Sequence, residues 1–229
     1  MKKITAPLVY HRMLEAIQEL EIASQKFQWE NEAHYAEWLA QSYMYVRWTT
    51  RQLALASALT KPGLEDSIHW RFIEEANEEK KHELLALSDL KNLGYDITTF
   101  NELPHTGFFY QTLSYLIMHE HPAAILGYSL TLEGFAAQKS EAIYNRVTKR
   151  YSDKTTTFLR VHVEVDKEHF ANALPHLESC PENLLPLVLK GINQCASIYK
   201  GILQDIETSV LKTVEARSIV KNELRTTSL

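Results

Sequence analysis

Glycine and proline are scarce in this sequence, with 7 of each among 229 residues. These two residue types punctuate chains into turns and short elements, and the β-branched runs that strands favour are also few. The chain has only 2 cysteines, Cys180 and Cys195, too few for the disulfide framework of a small secreted protein. These shortages predict a nearly all-helical protein whose thiols are reduced.

Strong charge and long apolar runs are missing as well. The formal net charge is −5, with both signs mixed along the chain, so there is no electrostatic case for binding nucleic acid or an anionic membrane. No hydrophobic run approaches the roughly 20 residues of a membrane span, and the first residues lack the apolar core of a signal peptide. We therefore expect a cytoplasmic protein that acts on a small molecule.

The composition that is present, 45% hydrophobic and 23% charged, is ordinary for a globular protein with a sizeable core. Helical periodicity and stop signals predict helices at about 8–28, 32–60, 64–93, 106–119, 123–149, 154–177 and 182–216. The stop signals are Pro62-Gly63, Gly94 and Pro175. With no interdomain linker visible, residues 1–229 are predicted to form one all-α domain of seven or eight helices, with 217–229 as a frayed tail.

The strongest chemical signal is His-x3-Asp-x2-His at His162, Asp166 and His169. At about 100° per residue in a helix, Asp166 lies about 40° from His162, and His169 lies about 20° from it on the other side. Two imidazoles and one carboxylate on one face suit a transition metal such as iron or manganese. The alternative interpretation is a solvated polar face that carries two histidines by chance.

A second candidate pair is Glu75 and His82, seven residues apart in the third predicted helix. Seven residues are about two turns, so both side chains would share a face to within about 20°. Glu78 and Glu79 are the substitutes if the helical register differs.

Glu133 lies in an otherwise apolar run of the fifth predicted helix. A carboxylate there is costly unless it is paired or binds a metal. The alternative is a core glutamate bonded to a tyrosine or an arginine. Together, the three predicted helices offer three carboxylates and three histidines, enough ligands for two metals.

Two further features have plainer interpretations. His119 and His121 diverge by about 160° if helical and precede Pro122, which predicts loop residues rather than a rival metal motif. The second helix is rich in aromatic side chains, which favours core packing, with a pocket-lining or radical role for a tyrosine as the alternative. These side chains include Tyr35, Trp38, Tyr43 and Tyr45.

The candidate ligands resemble, in order and spacing, the heme-oxygenase-like diiron oxidases. That family is the iron-containing redox branch of the superfamily that also holds TenA and the pyrroloquinoline-quinone synthase. Its members carry Glu-x6-His on one core helix, a lone Glu on a later helix, and His-x3-Asp/Glu-x2-His on a third. The pattern falls here on Glu75, His82, Glu133, His162, Asp166 and His169.

The resemblance implies a heme-oxygenase-like (TenA-like) fold, two iron ions or one iron and one manganese, and O2 as co-substrate for oxidising a small organic molecule. It also implies that the matched residues are the metal ligands and the catalytic residues. Glu75, His82 and one of Asp166 or Glu133 would hold one metal, and His162, His169 and the other carboxylate would hold the second. Because domains of this fold often pair, we expect a homodimer.

One subgroup, around the chlamydial death-domain-associating protein, is similar to this chain in a Tyr-x2-Trp motif at Tyr35 and Trp38. Members of that subgroup make p-aminobenzoate from their own tyrosine and carry a lysine ten residues beyond the lone glutamate. This sequence has Ile143 at that place, and the nearest lysine on the helix is Lys139.

Two other functions stay open at this point. A TenA-like, metal-free hydrolase of thiamin-related pyrimidines would need an activated cysteine nucleophile, and Cys180 and Cys195 are the only candidates. A non-catalytic binding protein on the same scaffold is the third possibility, although it would not need buried, clustered ligands.

Overall fold

The computed structural model describes the backbone of residues 4–226 and the side chains of residues 4–213. Every regular element in this range is helical, which confirms the all-α prediction. The α-helices are α1 (Ala6–Lys26), α2 (Glu32–Val46), α3 (Thr49–Leu59), α4 (Asp66–Glu78), α5 (His82–Asn92), α6 (Pro104–His119), α7 (Ala124–Val147), α8 (Thr157–Glu178) and α9 (Leu185–Thr226). Short 3-10 turns at Ile97–Thr99 and Asp153–Thr155 precede α6 and α8.

The seven predicted segments are all helical, but two of them are interrupted. The segment 32–60 breaks between Val46 and Thr49, and the segment 64–93 breaks between Glu78 and His82. Gly94 adopts a positive φ of 93° two residues beyond α5 and ends that helix as predicted, because a left-handed residue costs little when it is glycine. Helix α3 stops before Pro62-Gly63, as predicted, but it ends at Leu59 with Thr60 extended, and Gly63, at a φ of 79°, lies in the turn that follows.

The last two predicted helices end at or beyond the expected residues. Pro175 lies in the last turn of α8, which ends at Glu178, one residue beyond the predicted end at 177. Proline keeps a helical φ and loses only its own N–H bond, so a few residues can follow it. The tail predicted to fray from 217 is helical as far as Thr226, since its residues include good helix formers and neither glycine nor proline; residues 227–229 lie outside the described range.

Helix α7 is central to the packing and contacts α1, α8 and α9. The backbones of α7 and α9 touch where two glycines face each other. A Cβ atom on Gly127 would lie 2.3 Å from the carbonyl oxygen of Val188, and one on Gly191 would lie 2.4 Å from that of Ala124. Glycine is required at both positions for this close approach.

The aromatic residues of α2 lie in the core, as the packing interpretation predicted. Tyr35 and Trp38 are buried and stack on each other with their rings 5.9 Å apart. The hydroxyl of Tyr35 donates to the carbonyl oxygen of Thr155 at 2.9 Å, which ties α2 to the turn before α8. Within residues 4–226, none of the helices combines the length and the apolar character needed to cross a bilayer.

Candidate metal centre

The predicted ligands come from α4, α5, α7 and α8. Glu75 is on α4, His82 begins α5, Glu133 is on α7, and α8 carries the three residues of the His-x3-Asp-x2-His motif. Glu75, Glu133, Asp166 and His169 are buried, while His82 and His162 are partly buried. The structure thus brings residues from four separate helices to one interior region.

The interruption between α4 and α5 positions His82. Lys81 has a φ of 72°, the one positive φ at a non-glycine residue in the described chain. A lysine in this left-handed region is strained, and such strain is often found beside functional residues. Glu75 and His82 therefore do not lie on two regular turns of one helix, as the sequence predicted; the chain turns at Lys81, and His82 Nδ1 lies 3.2 Å from Glu79 Oε2.

Glu79, His82 and His162 form the first group with metal-binding geometry. Their potential ligand atoms all lie within 4.8 Å of one another. The two imidazole rings meet edge to face with their centres 5.1 Å apart. The Glu79 carboxylate and the His82 imidazole, on the two sides of the α4–α5 break, therefore converge with the His162 imidazole of α8.

Glu79, Asp166 and His169 form a second such group, also within 4.8 Å, and all three residues are buried. His169 Nδ1 lies 3.3 Å from Asp166 Oδ1 and 3.9 Å from Glu79 Oε1. Glu79 belongs to both groups. The sequence offered this residue only as a substitute ligand, because a regular helix would have placed Glu75 beside His82 instead.

Glu75 and Glu133 are next to a buried arginine rather than inside either group. Arg71 Nη2 lies 3.6 Å from Glu75 Oε2 and 3.8 Å from Glu133 Oε1, and Arg71 Nη1 donates to Glu78 Oε2 at 3.0 Å. The alternative interpretation of Glu133, a core glutamate paired with an arginine, describes this arrangement. The sequence analysis missed Arg71, although its position four residues before Glu75 was a signal for a pair on one helix face.

Both of these glutamates have raised pKa values. Burial raises the pKa of Glu75 against the opposing effect of Arg71, and burial together with the nearby charge of Glu75 raises the pKa of Glu133 well above its usual range. Glu75 Oε2 and Glu133 Oε2 make no hydrogen bond. Each therefore has a free lone pair in the interior, where an unsatisfied carboxylate oxygen is costly.

The pKa of Glu79 is shifted in the opposite direction to those of Glu75 and Glu133. Burial would raise the pKa of Glu79, but His82, 3.2 Å away, and the nearby His162 and His169 hold it below its usual range. The pKa of His82 is raised by Glu79, and that of His169 by Asp166. Burial raises the pKa of Asp166, so Glu79 is the carboxylate of the two groups whose negative form the neighbouring imidazoles favour most.

His162 is held in an orientation that suits metal binding. Its Nδ1 lies 2.8 Å from the carbonyl oxygen of Phe158, and the ring packs 4.3 Å from the Phe158 ring. A backbone carbonyl only accepts, so Nδ1 carries a proton, and in the neutral ring Nε2 is the nitrogen with the lone pair. Metal-binding histidines are commonly oriented by such a bond from their other ring nitrogen.

The donor set fits two transition-metal ions. Mixed imidazole and carboxylate ligands suit iron and manganese, and a carboxylate shared by two groups has one oxygen for each side. Glu75 Oε2 and Glu133 Oε2 are additional buried oxygens without hydrogen bonds. The residues present therefore have the chemistry that a dinuclear site needs.

A cavity of about 150 Å³ adjoins this cluster. Its wall includes Glu75, Glu79, Glu133, His162 and Asp166. The remaining wall is largely aromatic and is formed by Trp29, Trp38, Tyr45, Phe109, Tyr128, Phe135, Phe158 and Tyr199, among others. A concave, mostly apolar space beside a few converging polar groups is typical of a small-molecule site.

The rival candidates lie elsewhere. His119 ends α6, and His121 Nε2 bonds Glu65 Oε1 at 3.0 Å, so the prediction that they form no metal motif together fits this geometry. Cys180 and Cys195 are free and buried, and neither belongs to the cavity wall. Burial raises the pKa of Cys180 to about 11 and that of Cys195 further, which disfavours the thiolate that a nucleophile requires.

The sequence matches the model of a protein family described as "Iron-containing redox enzyme" over residues 36–200, which is most of the chain and includes every candidate ligand. The chain belongs to this family of iron-containing redox enzymes. A comparison with curated proteins found no match.

Solved structures confirm the fold predicted for this iron-containing redox enzyme. A domain of unknown function with a heme oxygenase-like fold from Shewanella denitrificans OS217 is 18% identical, with a TM-score of 0.79, and the match covers 92% of this chain and 95% of that one. A TenA homolog from Pseudomonas syringae pv. tomato DC3000 is 12% identical, with a TM-score of 0.71 over 91% and 97% of the two chains. At these identities, the likeness shows the heme-oxygenase-like fold alone.

Proposed function

We propose that this protein is an O2-dependent oxidoreductase with two iron ions, or one iron and one manganese, that oxidises a small organic substrate. The observation that carries the proposal is Glu79, whose carboxylate belongs to both groups of potential ligands. Membership of the iron-containing redox enzyme family supports the choice of metal and the class of reaction.

In this proposal, His82 and His162 hold one metal and Asp166 and His169 hold the other, with Glu79 shared between them. Glu75 and Glu133, which the sequence also predicts as ligands, adjoin the cluster and would supply the carboxylate oxygens that complete it. When bound, the metals supply the electrons that reduce O2.

The protein's own residues prepare this site. The Phe158 carbonyl fixes the orientation of His162, and the Lys81 turn holds His82 against Glu79. Arg71 supplies a positive charge where carboxylates are crowded. The apolar wall of the cavity keeps bulk water away from the carboxylates, which strengthens their electrostatic interactions.

The direct test is metal stoichiometry. Metal-free protein would be loaded anaerobically with Fe(II), desalted and assayed for iron, and then exposed to O2 while oxygen uptake and the visible spectrum are recorded. We expect close to two irons per chain and iron-dependent O2 consumption. His162→Ala, Asp166→Ala and Glu79→Gln should each lose stoichiometric binding, because each removes a ligand.

Glu74→Gln is the matched control, since Glu74 is exposed on the same helix as Glu75. It should bind iron as the unaltered protein does. Retention of two irons per chain by all three ligand variants would show that these residues are not the ligands.

A TenA-like hydrolase is the alternative function, and the fold that this chain shares with the TenA homolog is compatible with it. The buried positions and raised pKa values of both cysteines argue against it. Hydrolysis of an aminopyrimidine without iron, lost in Cys195→Ser or Cys180→Ser, would favour it. A non-catalytic binding protein would show neither iron-dependent O2 consumption nor hydrolysis.

The assembly and location of the protein stay predictions. We propose a homodimer, which light scattering after gel filtration would test by the mass of the particle. We also retain the prediction of a cytoplasmic protein that binds neither nucleic acid nor membrane, which fractionation of cells would test.

A further inference from the structure

The cavity beside the candidate metal centre limits the size of what it can hold. Its volume is about 150 Å³. A dry apolar cavity of this volume accommodates one molecule about as large as benzene. The space therefore suits one ring or a short branched chain.

Charge is unevenly distributed over the cavity wall. Five ionisable groups that suit metal binding line the cavity, and all of them belong to the candidate metal centre or its rim. They are Glu75, Glu79, Glu133, His162 and Asp166. Among the described residues, neither lysine nor arginine lines the cavity. A ligand with a charged group placed away from the metals would be desolvated there without a counter-ion, which is strongly unfavourable.

The hydrogen-bonding groups of the aromatic wall are mostly occupied. The Trp38 indole N–H donates to the Tyr199 hydroxyl at 3.3 Å, and the hydroxyl of Tyr45 interacts with that of Tyr199. The hydroxyl of Tyr128 is different: it is buried and makes no hydrogen bond. A buried hydroxyl normally has a partner, and because Tyr128 belongs to the cavity wall, a ligand in the cavity is the candidate partner.

We propose that the substrate of this site is a compact molecule with an uncharged apolar or aromatic body and one hydroxyl or carbonyl group that bonds the Tyr128 hydroxyl. That the bound molecule reacts rests on the proposed function, whereas that it binds does not. The apolar body fills the space among Trp38, Phe109, Phe135 and Tyr199, which places it against the residues of the candidate metal centre. Edge-to-face contact with these rings favours an aromatic body over an aliphatic one of equal size.

A series of probes with the same ring tests this proposal on the full-length protein. Benzyl alcohol, toluene, benzoate and benzylamine would each be titrated by calorimetry, with metal-free and with Mn(II)-loaded protein. We expect benzyl alcohol to bind most tightly and toluene about three- to tenfold more weakly, because one hydrogen bond is lost. Benzoate should bind to the metal-free protein at least tenfold more weakly than the alcohol, because the described part of the chain lines the cavity with four carboxylates and with neither lysine nor arginine. Benzylamine should show the same weakening in the Mn(II)-loaded protein, where the metal neutralises these carboxylates.

Two variants identify the place of binding. Tyr128→Phe should weaken benzyl alcohol about three- to tenfold and leave toluene unchanged, whereas Tyr115→Phe, at an exposed tyrosine, should change neither. Ala136→Phe, which fills the cavity, should abolish binding of both probes. The melting temperature of each variant would be recorded first, so that a folding defect is recognised.

The outcomes separate this inference from the proposed function. Binding of benzyl alcohol by metal-free protein with the Tyr128 dependence supports the inference even if no iron is retained. Tighter binding of benzoate by the metal-free protein, tighter binding of benzylamine by the Mn(II)-loaded protein, or no probe binding by a protein that holds two irons would overturn it. Equal affinity of benzyl alcohol for Tyr128→Phe and the unaltered protein would remove the assigned role of the hydroxyl.

Discussion

Arg71 brings one permanent positive charge into a cluster of buried carboxylates. It contacts Glu75, Glu78 and Glu133 and is itself only 2% exposed. A buried charge is tolerated when partners of opposite sign surround it, and removal of one partner leaves the others uncompensated. Arg71 is thus the residue that allows Glu75 and Glu133 to be adjacent in the metal-free protein.

Replacing Arg71 with glutamine should destabilise the metal-free protein. Loss of one partner of a buried charge pair typically costs about 3–5 kcal/mol, and we expect a loss in this range in urea denaturation at neutral pH. The raised pKa values of Glu75 and Glu133 should partly offset it, because these groups can take up protons.

Arg51→Gln is the control for Arg71→Gln, because Arg51 is exposed. Its effect should stay within about 0.5 kcal/mol. If Arg71→Gln were as mild as this control, the charge role assigned to Arg71 would be wrong.

Single residues also show where the sequence was informative about the site. Spacing alone predicted that His162, Asp166 and His169 share one face, because α8 is regular there. Spacing could not choose between Glu75 and Glu79, since the choice depends on a backbone break without a glycine or proline to signal it. Arg71 was missed for a related reason: an arginine on an amphipathic helix resembles a surface residue until its neighbours are known.

At the scale of helices, the turn between α4 and α5 is a strained feature that orients the site. Replacing Lys81, at a φ of 72°, with glycine relieves a left-handed strain of about 1 kcal/mol but adds a similar freedom to the unfolded chain. We therefore expect Lys81→Gly to keep or slightly raise stability in urea denaturation. Lys81→Val should lower it by about 1 kcal/mol or more, because β-branched residues fit this region poorly.

Lys80→Gly is the neighbouring control, since Lys80 is an exposed residue of the same turn without a positive φ. Its free energy of unfolding should fall by about 0.5–1 kcal/mol, because glycine adds conformational freedom to the unfolded chain and relieves no strain in the folded one. Equal losses at positions 80 and 81 would mean that Lys81 carries no strain.

The prediction of helices succeeded where periodicity and stop signals agreed. Gly94 ended α5 as expected, since its positive φ is easy only for glycine, and α3 ended before the turn at Gly63. Helix α8 ended within one residue of its predicted end, three residues after Pro175, because a proline stops its own hydrogen bond without preventing a final turn. Breaks at Arg47–Trp48 and Glu79–Lys81 were unpredictable from propensity, since tertiary packing rather than residue type determines them.

Asp89 connects two of the helices that build the site. It lies on α5, and its Oδ2 accepts the backbone N–H of Phe158 at the start of α8 at 2.7 Å. Burial, only partly offset by this hydrogen bond, raises its pKa from 3.8 to about 6. Between these values the folded protein holds more protons than the unfolded chain, so the contribution of Asp89 to stability falls as pH rises from about 4 to about 6.

Asp89→Asn should therefore be more stable than the unaltered protein at pH 7.5, because asparagine keeps an acceptor for Phe158 without a buried charge. We expect a melting temperature about 2–4 °C higher, which corresponds to about 1 kcal/mol for a domain of this size. The difference should shrink at pH 4.5, where Asp89 is protonated.

Asp96→Asn is the control, because the pKa of Asp96 is lowered whereas that of Asp89 is raised. The Asp96 carboxylate accepts hydrogen bonds from Thr98, which lower its pKa, so loss of its charge should give no gain at pH 7.5. If Asp89→Asn lost stability at both pH values, its burial would not be the dominant effect.

At the scale of the whole molecule, the candidate ligands join helices that are far apart in sequence. His82 of α5 and three residues of α8 meet around Glu79. Glu75 of α4 and Glu133 of α7 lie next to this cluster. A metal that binds only this folded arrangement stabilises it by mass action, by about 2.7 kcal/mol at a free concentration one hundred times its dissociation constant. Mn(II) is the convenient probe, because it accepts the same ligands as iron.

We therefore expect saturating Mn(II) to raise the melting temperature by about 5–10 °C, given about 2–4 °C per kcal/mol for a chain of this size. Chelation with EDTA should reverse the shift, and Glu79→Gln should abolish most of it, since that carboxylate belongs to both groups of ligands. Amide exchange should slow in α4, α5 and α8, which carry the ligands, more than in α1, which carries none. A uniform shift that persists in Glu79→Gln would mean that Mn(II) binds elsewhere on the surface and that the cluster is a structural network of buried charges.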